Sequence, residues 1–185
     1  KEMDIYPTTE EVNVYTIPDT REGWVESTRL LINSFLTPNK PRQEFNYELI
    51  RPYGSPIKGF GGTASGPQPL ITMHETIRRV VSSRVGEKLD SRAIVDIVNL
   101  IGTCVVAGNV RRSATLALGK TNDSLFANLK NAEKFPERNS YDPENPGWAW
   151  MSNNSLAAEV GTKYENYVDL ITDNGEPGFI WLDVS

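Results

Sequence analysis

Ser91–Gly119, SRAIVDIVNLIGTCVVAGNVRRSATLALG, contains one complete change of secondary structure. Asp90 or Ser91 can cap a helix. The apolar residues Ala93, Ile94, Val95, Ile97, Val98, Leu100 and Ile101 go almost all the way round that helix, a pattern that predicts burial on most of its surface. GNVRRS then interrupts it. Gly108 breaks the helix, and Asn109 tolerates a left-handed backbone. ATLALG reads as a strand. A buried helix that passes through a short loop into a strand is part of an α/β repeat, provided the flanking sequence repeats the alternation.

It does so on both sides. Towards the N-terminus, Val12–Ile17 reads as a strand. In PDTREGW, Asp19 can cap a helix and Glu22 follows at capping-box distance. Trp24, Thr28, Leu31 and Phe35 then recur at helical spacing, with Val25 and Ile32 beside them. TPNKPRQ breaks the helix, and the alternation of Phe45, Tyr47 and Leu49 predicts a second strand. Beyond Pro69, the residues Ile77, Val80, Val81 and Arg84 mark an amphipathic helix that Gly86 ends. Towards the C-terminus, Asp123–Phe135 predicts a short helix and PERNSYDPENPG a polar loop. WAWMSNNSLAAE predicts a strand with a polar middle, Tyr164–Thr172 a helix, DNGEPG a turn, and FIWLDV a strand. The fold class is therefore α/β with mainly parallel pairing.

The length of 185 residues suits one domain or a compact piece of a larger one. The chain starts on a charged stretch without methionine and stops just after an apolar run, so the expectation is a fragment or processed piece of a longer polypeptide. A net charge of −5 argues against a broad electrostatic grip on DNA or RNA, although local clusters such as Arg111–Arg112 still suit single phosphates. One cysteine, Cys104, excludes an intrachain disulfide, and one histidine, His74, excludes multi-histidine metal sites within these residues. Cys104 sits in the apolar helix and reads as an inert thiol. No apolar run is long enough to span a bilayer, and the acidic start is not a secretory signal. A reducing, cytoplasmic setting fits.

Two segments carry candidate chemistry. In Arg51–Pro67, RPYGSPIKGFGGTASGP, the glycines 59, 61, 62 and 66 cluster beside Lys58. Their backbone N–H groups can form an anion-binding nest, and Arg51 and Lys58 can add charge-assisted contacts to phosphate. There is no Walker A pattern. Gly59–Ala64 nearly matches the dinucleotide fingerprint, but Pro67 and Pro69 fall where its helix should start and its acidic partner is missing. A plain connection between strand and helix is the other reading. In the second segment, Gly108–Ser113, the adjacent Arg111 and Arg112 leave a buried helix and cannot both point into a core. They meet a ligand, solvent, or an acid such as Asp96 or Glu133. Ser152, Asn153, Asn154 and Ser155 place polar groups on both faces of their strand, which suits either an edge strand or the lining of a polar barrel interior.

IRPYGSPIKGFGGTASGP, IVNLIGTCVVAGNVRRSATLALG, WMSNNS and NGEPG, together with PDTREGW, occur in one order, and in that order they resemble the central part of the adenosylcobalamin-dependent (class II) ribonucleotide reductases, particularly the monomeric ribonucleoside-triphosphate reductase type. The resemblance runs from about Val12 to Leu182. It implies part of a ten-stranded α/β barrel, with residues 1–185 a single segment of the barrel domain that includes both specificity loops. It implies a thiyl-radical reaction that reduces ribonucleotides, with adenosylcobalamin as radical source, a deoxynucleotide effector and a thioredoxin-like reductant. By resemblance, Arg51, Lys58, Gly59, Gly61 and Gly62 belong to the first effector loop. Gly108, Asn109, Arg111, Arg112 and Ser113 belong to the second, which relays the effector's identity to the substrate base, and Ser152–Ser155 line the barrel. The radical cysteine's Asn-Pro-Cys-Gly-Glu motif does not occur here and is expected after Ser185. The first cysteine of the reducing pair is expected before Lys1, so Cys104 takes neither role and the chain alone should be silent, needing complementary fragments or the rest of the polypeptide. A non-catalytic nucleotide-binding module is the alternative.

Overall fold

The computed structural model describes residues 2–57, 61–108 and 113–183. The chain divides into two compact units, Lys1–Leu89 with Thr103–Ser113, and Asp90–Gly102 with Ala114–Ser185.

The first unit opens with strand β1 (Thr9–Thr16), helix α1 (Arg21–Leu36) and strand β2 (Pro41–Asn46), and ends its first stretch with helix α2 (Gln68–Ser82). β1 and β2 pair in parallel, from Val12 opposite Arg42 to Thr16 opposite Asn46, with α1 as the crossover. The cap of α1 differs from the sequence expectation. Thr20, not Asp19, accepts the hydrogen bond from the Gly23 backbone N–H, at 3.0 Å. Glu22 pairs with Arg21 instead of closing a capping box. The turn is so tight that a Cβ on Gly23 would lie 2.6 Å from the Pro18 carbonyl oxygen, which moves the helix start to Thr20. The buried face of α1 is Gly23, Ser27, Leu31, Ser34 and Phe35, and Val25 is exposed. The serines stay inside because each hydroxyl donates to the carbonyl three residues back. β2 starts earlier and stops earlier than the Phe45–Leu49 alternation suggests. The Asn46 side chain accepts from the Glu48 N–H and turns the chain, leaving Leu49 exposed.

In α2, Leu70, Met73, His74, Ile77, Val80 and Val81 form the buried stripe, and the helix packs on α1. Pro67 and Pro69 stand at its first turn, where a missing N–H does no harm. The helix ends at Ser82, before Gly86.

The second unit contains helix α3 (Ser91–Val106) as far as Gly102, strand β3 (Thr115–Lys120), the one-turn helix α4 (Ser124–Ala127), strand β4 (Ser152–Ala158), helix α5 (Val168–Asn174) and strand β5 (Gly178–Trp181). Asp90 caps α3 by accepting from the Ala93 N–H at 2.7 Å. Asp123 caps α4, and Asn128 ends it early by donating to the Ser124 carbonyl, so the predicted helix over 123–135 is mostly turns. The three strands form a wholly parallel sheet in the order β3-β4-β5. Val95, Phe126, Leu129 and Leu156 form the core on one of its faces, with Ala117, Tyr167 and Phe179 against it. α3 is less buried than its composition predicts, since Ile94, Val98 and Val105 are exposed. All five strands of the described residues pair in parallel, as the α/β reading requires.

Candidate nucleotide-binding site

The glycine-rich segment of the first unit folds back on itself. Gly54 N–H donates to the Ala64 carbonyl, Ala64 N–H to Ser55, and Ile57 N–H to Gly62. Pro56 and Thr63 form an antiparallel bridge. These bonds make a narrow hairpin whose arms run over 54–57 and 61–64. Gly61 and Gly62 have φ of 69° and 87°, values that a side chain would strain. At its base, Gly66 (φ 70°) lies so close to Tyr53 that a Cβ would stand 2.9 Å from the Tyr53 nitrogen. The described part of the near fingerprint, Gly61–Ala64, is thus a hairpin arm and not the strand-to-helix turn of a dinucleotide fold.

The described residues of the two predicted loops meet within this unit. A Cβ on Gly108 would stand 3.9 Å from the Thr63 carbonyl oxygen and 3.8 Å from the Ser65 Cβ. Ser113 is exposed at the far end of the second loop. Lys58, Gly59, Asn109, Arg111 and Arg112 lie outside the described residues.

Arg51, at the entrance to the hairpin, already has a partner. Its Nε donates to Asp19 Oδ2 at 2.6 Å, with the two side chains 41% and 30% exposed. Asp19 is free for this because Thr20 has taken over the cap. The same unit holds a buried histidine, His74. Tyr47 Oη is 2.8 Å from His74 Nδ1, and Ser27 Oγ is 3.2 Å from Nε2. Both nearby hydroxyls, of Ser27 and Thr28, donate to the Trp24 carbonyl, so they accept from Nε2–H and Nδ1 accepts from tyrosine. Burial, with Arg78 nearby, lowers the His74 pKa to about 4. Burial first, and then Glu75, raises Tyr47 to about 12. This network is structural. Cys104 is likewise quiet, its thiol raised to about 11 by burial.

The second unit separates the four polar residues of β4. Residues paired in register share a face of the sheet, and Leu156 faces the core. Ser152 and Asn154 therefore lie on the covered face and are buried, whereas Asn153 and Ser155 share the other face with Leu116 and Leu118. Of the four, only Asn153 and Ser155 can line an interior on that open side. Ser152 instead accepts from Asn99 Nδ2 and donates to Asn154 Oδ1, each at 2.9 Å.

Sequence reasoning missed the buried ion pair beside this array. Arg138, 3% exposed along its side chain, donates from Nε to Asp96 Oδ1 at 2.7 Å, and Trp148 Nε1 donates to the same oxygen at 2.7 Å. A lone acid within the apolar run of α3 was the available signal. Asp96 is thus taken by Arg138. Lys130 donates to the carbonyls of Ala149 and Ser152 and lies 3.8 Å from Glu176. Burial lowers the lysine's pKa and raises the glutamate's.

The family described as "B12-dependent ribonucleotide reductase, insertion domain" matches residues 1–81. The chain is 46% identical over 171 residues to the probable adenosylcobalamin-dependent ribonucleoside-triphosphate reductase of Dictyostelium discoideum, covering 92% of this chain and 21% of that protein. It is 44% identical to the Euglena gracilis reductase of that name (91% and 22%) and 46% identical to that of Lactobacillus helveticus (95% and 23%). A crystal structure of a B12-dependent (class II) ribonucleotide reductase superposes with a TM-score of 0.75 at 40% identity, covering 94% of this chain and 23% of that one. The chain spans about a fifth to a quarter of the length of the curated relatives it matches. Over nearly all of its own length, then, this chain is similar to a stretch of the adenosylcobalamin-dependent class II ribonucleotide reductases, and it shares their α/β fold in the aligned region.

Proposed function

We propose that the complete protein carrying these residues is a ribonucleotide reductase that converts ribonucleoside triphosphates to deoxyribonucleotides by thiyl-radical chemistry. This segment supplies its effector and substrate-specificity loops. Beyond the likeness to reductases, the observation that carries the reading is the approach of Gly108 to Thr63 and Ser65, which puts the start of the arginine loop against the return arm of the glycine hairpin. Two cationic segments whose described ends approach each other suit a deoxynucleotide, with phosphates on one and the base on the other. Lys58 and Arg51 are assigned to the effector phosphates, and Arg111, Arg112 and Ser113 to relaying the effector's identity.

Adenosylcobalamin would supply the radical by cobalt–carbon homolysis when bound. The residues here do not fit as its ligands: the sole imidazole has both ring nitrogens hydrogen-bonded, and no group of His, Cys, Asp or Glu among the described residues could hold a metal ion. The cofactor, the radical cysteine, the ribonucleotide site and the docking of a thioredoxin-like reductant are assigned to the remaining polypeptide. No described helix is long and apolar enough to cross a membrane. A cytoplasmic location is part of the proposal.

Arg111→Ala in the complete enzyme tests this. Deoxynucleotides should lose their ability to switch preference among the four ribonucleotide substrates, while basal turnover survives. An unaltered effector response in all four assays sinks the assignment.

A further inference from the structure

We propose that Asp19 is a positioning residue for nucleotide binding: it grips Arg51 by Nε and so presents the Nη1/Nη2 edge of the guanidinium to a phosphate. The inference rests on reading the glycine hairpin as part of an effector site. It concerns a residue for which the sequence suggested only a helix cap.

Three observations carry it. The cap belongs to Thr20, so the Asp19 carboxylate serves no backbone donor of α1, and its partner is Arg51 Nε at 2.6 Å. The contact is single. Among the described residues, the only hydrogen bond drawn from the guanidinium is from Nε, so the pair of terminal nitrogens that best matches two phosphate oxygens stays open. Arg51 is also anchored on both sides. Ile50, just before it, is buried, and two residues on the backbone of Tyr53 runs close against Gly66 at the base of the hairpin.

An arginine free to rotate loses side-chain entropy when it binds phosphate. One already held at Nε loses less. Because the Nη edge is not engaged, the ion pair need not break when an anion arrives. At 41% and 30% exposure the pair adds little to folding, so its geometry matters more than its stability. The opposite arrangement, in which Asp19 competes with phosphate for Arg51, would call for a two-pronged pair that the ligand must displace.

The test measures binding of the four deoxynucleoside triphosphates to the complete protein, by calorimetry, for wild type and for Asp19→Ala, Asp19→Asn and Arg51→Ala. Melting temperatures serve as the folding control. Arg51→Ala should weaken binding on the order of tenfold or more. Asp19→Ala should weaken it roughly three- to tenfold. Asp19→Asn keeps an oxygen acceptor for Nε and should restore affinity to within about twofold of wild type. Tighter binding by both Asp19 variants identifies a competitor and overturns the proposal. Equal losses in Asp19→Ala and Asp19→Asn overturn it too, because the retained acceptor then does nothing. So does an Asp19→Ala protein that binds like wild type, or an Arg51→Ala protein that does. Wild-type protein that binds no deoxynucleotide is a different failure, since it removes the effector-site reading itself.

Discussion

His74 shows how burial fixes a protonation state. With its folded pKa near 4 and an unfolded value near 6.5, the imidazole stays neutral across the physiological range. The unfolded chain takes up the proton first as pH falls, so this contribution to stability is complete above about pH 6.5 and is lost on descent towards pH 4. The loss is bounded by roughly 3 kcal/mol. Denaturant titrations of wild type and His74→Gln between pH 7 and 4.5 should converge as the pH drops; parallel curves would show that the ring is not held neutral. Asp96 is the second critical residue. Asp96→Ala leaves Arg138 buried and uncompensated and also frees the Trp148 N–H, a change that should destabilise by about 3–5 kcal/mol. A denaturation midpoint close to wild type would mean that Arg138 reaches water.

Among the secondary-structure elements, two glycines on the covered face of the three-stranded sheet give contrasting predictions. A Cβ on Gly119 of β3 would lie 2.2 Å from the Phe126 ring, which has no room to withdraw within its core cluster. Gly119→Ala should therefore destabilise by about 1–3 kcal/mol. A Cβ on Gly102 of α3 would meet the buried Met151 side chain, Cγ at 2.7 Å and Cε at 2.9 Å, so the side chain must shift, but alanine favours a helix by about 1 kcal/mol and methionine adapts more readily than a ring, so Gly102→Ala should cost less than Gly119→Ala. Thermal melts of the two variants check the ordering, and the reverse ranking would contradict the packing described. The hairpin of the first unit follows the same logic. Gly54, Gly61, Gly62 and Gly66 adopt left-handed φ, and at Gly66 the neighbouring backbone of Tyr53 is too close for any side chain.

At the scale of the whole chain, the second unit has its core on one face of β3-β4-β5. Leu116 and Leu118, 58% and 56% exposed, stand on the other beside Asn153 and Ser155. Such an apolar strip should bind an environment-sensitive apolar dye when the 185-residue chain is studied by itself. Replacing both leucines with serine should reduce that signal and leave the far-ultraviolet dichroism and the stability nearly unchanged, within about 0.5 kcal/mol. Undiminished dye fluorescence would place the exposed patch elsewhere.

The alternation of strands and helices and the parallel pairing it implies are legible in the sequence. Each depends on local rules: side-chain period, glycine punctuation and capping residues. What the sequence leaves undecided is which of two equivalent neighbours does a job. Asp19 and Thr20 can each cap α1, and only the tight turn at Pro18–Gly23 gives the role to Thr20 and sends Asp19 to Arg51. Asp96 was a possible partner for Arg111 or Arg112, but folding pairs it with Arg138, 42 residues away. The sequence also spells out four polar residues in β4, yet only the sheet register divides them between core and open face. The physical reason is the same each time. Local propensity acts over a few residues, whereas ion pairs, close approaches and strand register are fixed by atoms that the chain brings together from far apart.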